Sequence, residues 1–154
     1  MDVNTLIDPG AIMPDLRANS KKQVLQELAG KAAEITGISE REIFETILGR
    51  EKLGSTGVGN GIAIPHGKLA DLDRIVGLFA RLSRPVDFDA LDDQQVDIVF
   101  LLLAPQGSGA DHLKALSKVA RLLRNREIVD EIRATRDGNT IYALMTSAMA
   151  QNAA

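Results

Sequence analysis

From Ser20 onward apolar residues recur at helical spacing, with Val24, Leu25, Leu28, Ala32 and Ile35 on one stripe, which predicts a core-facing helix. Ser20 and Gln23 stand at capping-box spacing before it, and Gly37 is placed to end it. Ser39 and Glu42 repeat that spacing, and Ile38 with Ile43 supplies a hydrophobic staple. A second helix is therefore expected from about Glu40 to Lys52, burying Ile43, Phe44, Ile47 and Leu48. Arg50 falls in its last turn, where the helix dipole favours a cation.

Strand patterns lie on either side of this helical pair. Residues 3 to 17 read as a connecting segment with a first strand over Ile12 to Arg17, punctuated by Pro9 and Pro14. A glycine-dense loop from Gly54 to Gly61 feeds the short apolar run Ile62-Ala63-Ile64, which meets Pro65. Proline lacks a ladder donor and pushes Ile64 into the β region, so pairing should end as His66 is reached. That puts His66 at the carboxyl end of a strand, the edge where ligands of open α/β sheets collect. Gly67 behind it would let a phosphate or another protein's backbone come close.

Arg74 to Leu82 is rich in Ile, Val, Leu and Phe, and Val86-Asp87-Phe88 reads as a short strand beyond the Arg84-Pro85 break. Val96 to Leu103 is nearly continuous apolar sequence, the pattern of a central strand covered on both faces. If that strand runs parallel to the first, Gln106 to His112 loops over the end of the sheet that carries His66. Ser108 with Asp111 would then cap a helix turning Leu113, Leu116, Val119, Ala120 and Leu123 inward. Two more helical stretches, Glu127 to Ala134 and Thr140 to Ala150, precede a tail expected to fray from Gln151. The fold expected is a single-domain α/β sandwich over residues 1–154, with its core at about 12–150 and about five strands flanked by helices. No crossover helix fits between Arg74 and Leu103, so the sheet should be mixed.

Composition narrows the function classes. The 154 residues, 45% hydrophobic, suffice for one core. A net charge of −3, interspersed signs and only 3% aromatics with no Trp argue against nucleic acid as a partner. The absence of cysteine excludes disulfides, thiolate metal sites and cysteine nucleophiles. Met1-Asp2-Val3-Asn4 lacks signal-peptide character, and the apolar run Ile98 to Ala104 is far shorter than the ~20 residues that span a bilayer. A soluble, cytoplasmic chain without membrane insertion is expected.

Familiar glycine motifs fail here. Gly57 and Gly59 are followed by Ile62 where a dinucleotide fingerprint needs its third glycine, and Gly67-Lys68 does not complete a P-loop. Ser55 and Thr56 lack a nucleophile elbow and read as turn or phosphate-facing hydroxyls. His66 and His112 are the chain's two histidines, too sparse for a metal site. What stays open is whether His66 is structural or is itself a nucleophile that becomes phosphorylated.

The string Arg50-Glu51-Lys52-Leu53-Gly54-Ser55-Thr56-Gly57-Val58-Gly59-Asn60-Gly61-Ile62-Ala63-Ile64-Pro65-His66-Gly67-Lys68-Leu69 resembles the active-site signature of enzyme IIA domains of the fructose/mannitol type. These belong to the bacterial phosphoenolpyruvate-dependent phosphotransferase system, and the likeness is greatest to their nitrogen-regulatory branch. It runs from the first helix to at least Arg124; Gln95 departs from it, standing where many relatives carry proline. The resemblance implies that His66 accepts a phosphoryl group, that Arg50 opens the motif and that His112 is a second histidine of the site. Ser55, Thr56, Gly59, Asn60 and Gly67 would surround the phosphate, with no metal and no cofactor. It also implies an HPr-like phosphohistidine donor and regulated target proteins, or, alternatively, a sugar-permease role passing phosphate to a IIB domain. Phosphoryl transfer asks mainly for in-line positioning and charge stabilisation, which a loop and a helix start can supply. Near that positive helix start His112 is expected neutral.

Overall fold

The computed structural model describes residues 6–152. Its strands are β1 (Ile7–Leu16), β2 (Gly57–Gly59), β3 (Ile62–Ala63), β4 (His66–Leu69), β5 (Val76–Val86) and β6 (Val96–Pro105). Its helices are α1 (Lys21–Thr36), α2 (Glu40–Lys52), α3 (Ala110–Leu123), α4 (Arg126–Arg133) and α5 (Gly138–Asn152). Residues 3–5 of the expected connecting segment and 153–154 of the tail lie outside the described residues, while Gln151 is still helical.

The apolar run of β6 sits at the centre because every side chain from Ile98 to Ala104 is fully buried, which requires cover on both faces. The sheet is mixed and runs β1-β5-β6-β3-β2, with β4 also on β6. β5 lies antiparallel to β6, with Phe79 opposite Phe100, and the two rings meet edge-on at 6.5 Å. β1 is parallel to β5 and forms an outer edge. Helices α1 and α2 pack on each other and reach β5 and β4, while α3, α4 and α5 form a second group over β6 and β1.

The caps of the first two helices match their sequence signals. Ser20 Oγ accepts from Gln23 N–H at 3.2 Å, and Gly37 takes the left-handed conformation, φ 75°, that ends α1. Ser39 likewise caps α2. Ile43 and Ile47 of α2 are fully buried and Phe44 and Leu48 partly so.

Four expectations change. The sheet has six strands, because glycine-dense Gly57–Gly59 pairs antiparallel with β3 across a tight turn in which Asn60 and Gly61 have φ of 58° and 80°. Strand β1 starts earlier than Ile12; an edge tolerates Pro9 at the cost of a register shift between Ile7 and Ile12. Arg84-Pro85 does not break the next strand, since a shift between Arg81 and Val86 absorbs the proline inside β5. Leu113 of α3 points outward, 66% exposed, and the inward face is His112, Ala115, Val119, Leu122 and Leu123.

Gly77 marks the tightest contact in this frame: a Cβ there would lie 2.7 Å from the Leu6 carbonyl oxygen and 2.8 Å from the Phe100 ring. One neighbour is backbone and the other is a fully buried ring. We expect Gly77→Ala to cost about 1–3 kcal/mol by urea denaturation. Unchanged stability would show that β1 and β5 are not so closely apposed.

Candidate functional site

Pro65 interrupts the sheet without ending it. Its ring removes a donor, but its carbonyl accepts from Leu102 N–H at 2.9 Å, and pairing with β6 resumes at once as His66↔Leu102. The expectation that pairing stops at His66 is therefore corrected. His66 opens β4, the continuation of β3, and stands beside an irregular step instead of a strand terminus. Its half-buried ring is fixed by Nδ1, which lies 3.0 Å from the Ile64 carbonyl oxygen. A carbonyl can only accept, so Nδ1 carries a proton, and in the neutral ring the lone pair is on Nε2.

β6 runs parallel to β4, so the turn after Pro105 carries the chain over this same part of the sheet into α3. That brings His112 to His66, with ring centroids 5.7 Å apart and planes tilted by 53°. His112 is 6% exposed and its Nδ1 has no hydrogen-bond partner. The expected Ser108 cap is absent: Gly109 occupies the cap position with φ 50° and no side chain covers the helix start. Ser108 Oγ is itself buried and unpartnered. The outcome is a helix start with no side-chain cap, where Asp111 N–H is spent on the Ser108 carbonyl at 3.1 Å, and two unengaged polar side-chain atoms on the segment that reaches His66.

Burial lowers the pKa of His112 from its ordinary 6.5, and the neighbouring His66 and Lys68 lower it further. The direction agrees with the neutral imidazole expected from the helix start, though desolvation is the largest cause.

The remaining sequence-nominated residues divide. Arg50 Nη1 donates to the Gly54 carbonyl at 2.9 Å, tying the end of α2 to the start of the glycine loop. It makes no hydrogen bond to either histidine among the described residues. The hydroxyls of Ser55 and Thr56 are consumed inside the protein and do not point at a phosphate. Ser55 Oγ donates to the Phe88 carbonyl at 2.6 Å and accepts from Gly57 N–H at 3.0 Å, while Thr56 Oγ1 donates to the Glu51 carboxylate. At Gly67 a Cβ would come 2.9 Å from Thr46 Cγ2, so the space is taken by α2 and not by an outside group. Gly59 and Asn60 belong to the far end of the run. Asn60 N–H donates to Asp92 and its carbonyl accepts from Arg133, itself paired with Asp97 at 2.9 Å. The two residues sit in and beside the β2–β3 turn, Gly59 opposite Ile62, which stands four residues along the sheet from His66, or roughly 13 Å; there they line a groove of about 570 Å³ with Leu123, Arg124, Arg126 and Val129.

Two features had no clear sequence signal. The Ile64 carbonyl sets the His66 tautomer, which only coordinates reveal. Glu51 is 6% exposed and pairs with Lys21 at 2.9 Å; a glutamate one position after Arg50 reads as a surface residue unless the inward stripe Ile43, Ile47 is extended by one more turn to 51.

The lowered pKa of His112 has a sign in stability. Between the folded value and 6.5 the unfolded chain binds more protons, so stability is full above 6.5 and falls as pH drops through that window. We expect wild type to lose more thermal stability than His112→Gln between about pH 7.5 and about pH 5.5. Equal losses would mean that His112 titrates normally.

Residues 5–148 match the family described as phosphoenolpyruvate-dependent sugar phosphotransferase system, EIIA 2. A nitrogen regulatory protein of Bradyrhizobium diazoefficiens is 61% identical over 145 residues, covering 94% of this chain and 95% of that protein. One from Escherichia coli is 44% identical over 132 residues, covering 85% and 81%. The crystal structure of nitrogen regulatory protein IIA-Ntr from Neisseria meningitidis superposes with a TM-score of 0.88 at 33% identity, covering 94% of this chain and 99% of that one. With a histidine pair beside an open helix start on a six-stranded α/β sheet, and a family match along almost its whole length, the chain belongs to the EIIA type-2 family of the phosphotransferase system.

Proposed function

We propose that His66 Nε2 is the phosphoryl acceptor of a phosphocarrier whose phosphorylation state regulates nitrogen, carbon or potassium physiology in the cytoplasm. The observation that carries this reading is the Nδ1 contact with the Ile64 carbonyl at 3.0 Å, which occupies Nδ1 and leaves Nε2 as the nitrogen able to attack phosphorus. Residues 1–154 act as one EIIA domain, and the donor is an HPr-like phosphohistidine protein. The full-length similarity to nitrogen regulatory proteins supports regulation over a role in sugar uptake.

In the transfer, the Nε2 lone pair attacks phosphorus in line as the donor's own P–N bond breaks, so one P–N bond replaces another and no proton need leave His66 first. The transition state is loose and its charge lies on the three equatorial oxygens, which makes positioning and electrostatics the protein's main tasks. His112, neutral and unpartnered at Nδ1, can donate one hydrogen bond to that group. The start of α3, where Asp111 N–H is already bonded to the Ser108 carbonyl, can offer its remaining amides and the positive end of the helix dipole. Arg50 keeps guanidinium donors beyond the one spent on Gly54 and can pair with phosphate or with an acidic partner. A hydrogen bond to a charged group is worth about 1.5–3 kcal/mol, so a few of them suffice to hold a dianion. Ser55, Thr56, Gly59, Asn60 and Gly67 take no direct part.

Incubation with phosphoenolpyruvate, enzyme I and an HPr-like carrier, followed by intact mass, tests the assignment. Wild type should gain one acid-labile, base-stable phosphoryl group and His66→Ala none, with its fold intact. A phosphorylated His66→Ala protein would refute it. Arg50→Ala should slow transfer about 10- to 100-fold, the loss of one charge-assisted contact, without moving the modified residue. Unchanged kinetics would restrict Arg50 to closing the loop.

A further inference from the structure

We infer that Glu51 is a positioning residue which, through Thr56 and Ile64, holds His66 in its nucleophilic tautomer; this rests on the phosphocarrier reading above. Glu51 lies in the last turn of α2, where a carboxylate meets the negative end of the helix, and it is 6% exposed. Burying a carboxylate there is costly unless it is fully engaged. It is: Lys21 Nζ lies 2.9 Å from Oε1, Thr56 N–H donates to Oε1 at 3.1 Å, and Thr56 Oγ1 donates to Oε2. Lys21 also sits 4.9 Å over the ring of Phe88, whose carbonyl holds Ser55. The Lys21–Glu51 pair therefore holds Thr56 directly, and Lys21 packs on the residue whose carbonyl holds Ser55.

The clamp leads to the nucleophile through two consecutive backbone contacts. Thr56, held at its N–H and hydroxyl by Glu51, uses its carbonyl to accept from Ile64 N–H at 3.0 Å. Ile64 in turn offers its own carbonyl to His66 Nδ1 at 3.0 Å. Proline at 65 leaves this stretch without one ladder donor, so Ile64 depends on Thr56 for its place. If Thr56 shifts, the Ile64 carbonyl shifts, and with it the contact that keeps the proton on Nδ1 and the lone pair on Nε2. The sequence between Arg50 and His66 thus does two jobs. Its hydroxyls lock the loop, and its amide and carbonyl groups orient the imidazole.

Glu51→Gln keeps the volume and an acceptor for Thr56 N–H but removes the charge that pairs with Lys21. Thr56→Val removes only the hydroxyl and preserves shape. For both, the ¹⁵N shifts of the His66 imidazole in the unphosphorylated protein, at about pH 8 where an ordinary histidine is neutral, report the tautomer. We expect both variants to lose part of the Nδ1–H population and to transfer phosphate about 10-fold more slowly or worse, within the ~10²-fold that a 1 Å misplacement can cost, still on His66. Met145→Ala, a cavity in fully buried α5 packing, is the matched control: it should lower Tm and leave the tautomer and rate as in wild type. The inference is overturned if Glu51→Gln and Thr56→Val lower Tm yet leave both tautomer and rate unchanged. Since the tautomer is read without any phosphoryl donor, that result stands apart from a failure of wild type to be phosphorylated at all.

Discussion

Parallel pairing along β6 on both sides of Pro65 fixes where His66 stands. β6 is apolar from Ile98 to Ala104 and buried on both faces, so it cannot slide: a one-residue slip would exchange the side chains offered to the two helical layers. With Ala63 opposite Val99 and His66 opposite Leu102, the imidazole is tied to the strand that itself ends at the turn into α3. The nearness of His66 and His112 follows from that connection, because α3 begins five residues after the last residue of β6 and must climb over the same end of the sheet.

The electrostatics of the site is one of kept neutrality and unspent donors. Burial pushes the pKa of His112 down, and His66 and Lys68 lower it further. A neutral ring still carries one N–H donor for the phosphoryl oxygens. Negative charge arriving at His66 would find the open start of α3 and the spare donors of Arg50, while the nearby carboxylate of Glu51 is already neutralised by Lys21. On the phosphocarrier reading proposed above, the fold separates two uses of charge, one closed around Glu51 to hold the loop and one exposed at Arg50 that would meet phosphate.

Much of this was legible in the sequence wherever a side chain announces its own environment. The caps of α1 and α2, the buried run of β6 and the mixed sheet all follow from local chemistry, and the motif from Arg50 to Leu69 singled out His66. The misses share a cause. Glycine-rich β2, prolines inside β1 and β5, and the resumption of pairing after Pro65 are held by backbone hydrogen bonds, which no side-chain pattern records. Nearness in sequence also misled: Asn60 and Gly59 are close to His66 along the chain, yet the β2–β3 turn holds them about four strand residues from it, with Asn60 bonded to Asp92 and Arg133. Of the two roles open to Ser55 and Thr56, turn or phosphate-facing hydroxyl, Ser55 takes the turn role by accepting from Gly57 N–H, while the buried Glu51 that recruits Thr56 has no sequence signal.

The central claim is that the fold presents Nε2 of His66, and no other nitrogen, to the incoming phosphoryl group. A long-range ¹H–¹⁵N correlation spectrum of the phosphorylated protein, with the imidazole nitrogens assigned, reads this directly. The account predicts the phosphoryl group on His66 Nε2, with Nδ1 still protonated and bonded to the Ile64 carbonyl. Phosphate on Nδ1 of His66, or on His112, would contradict it.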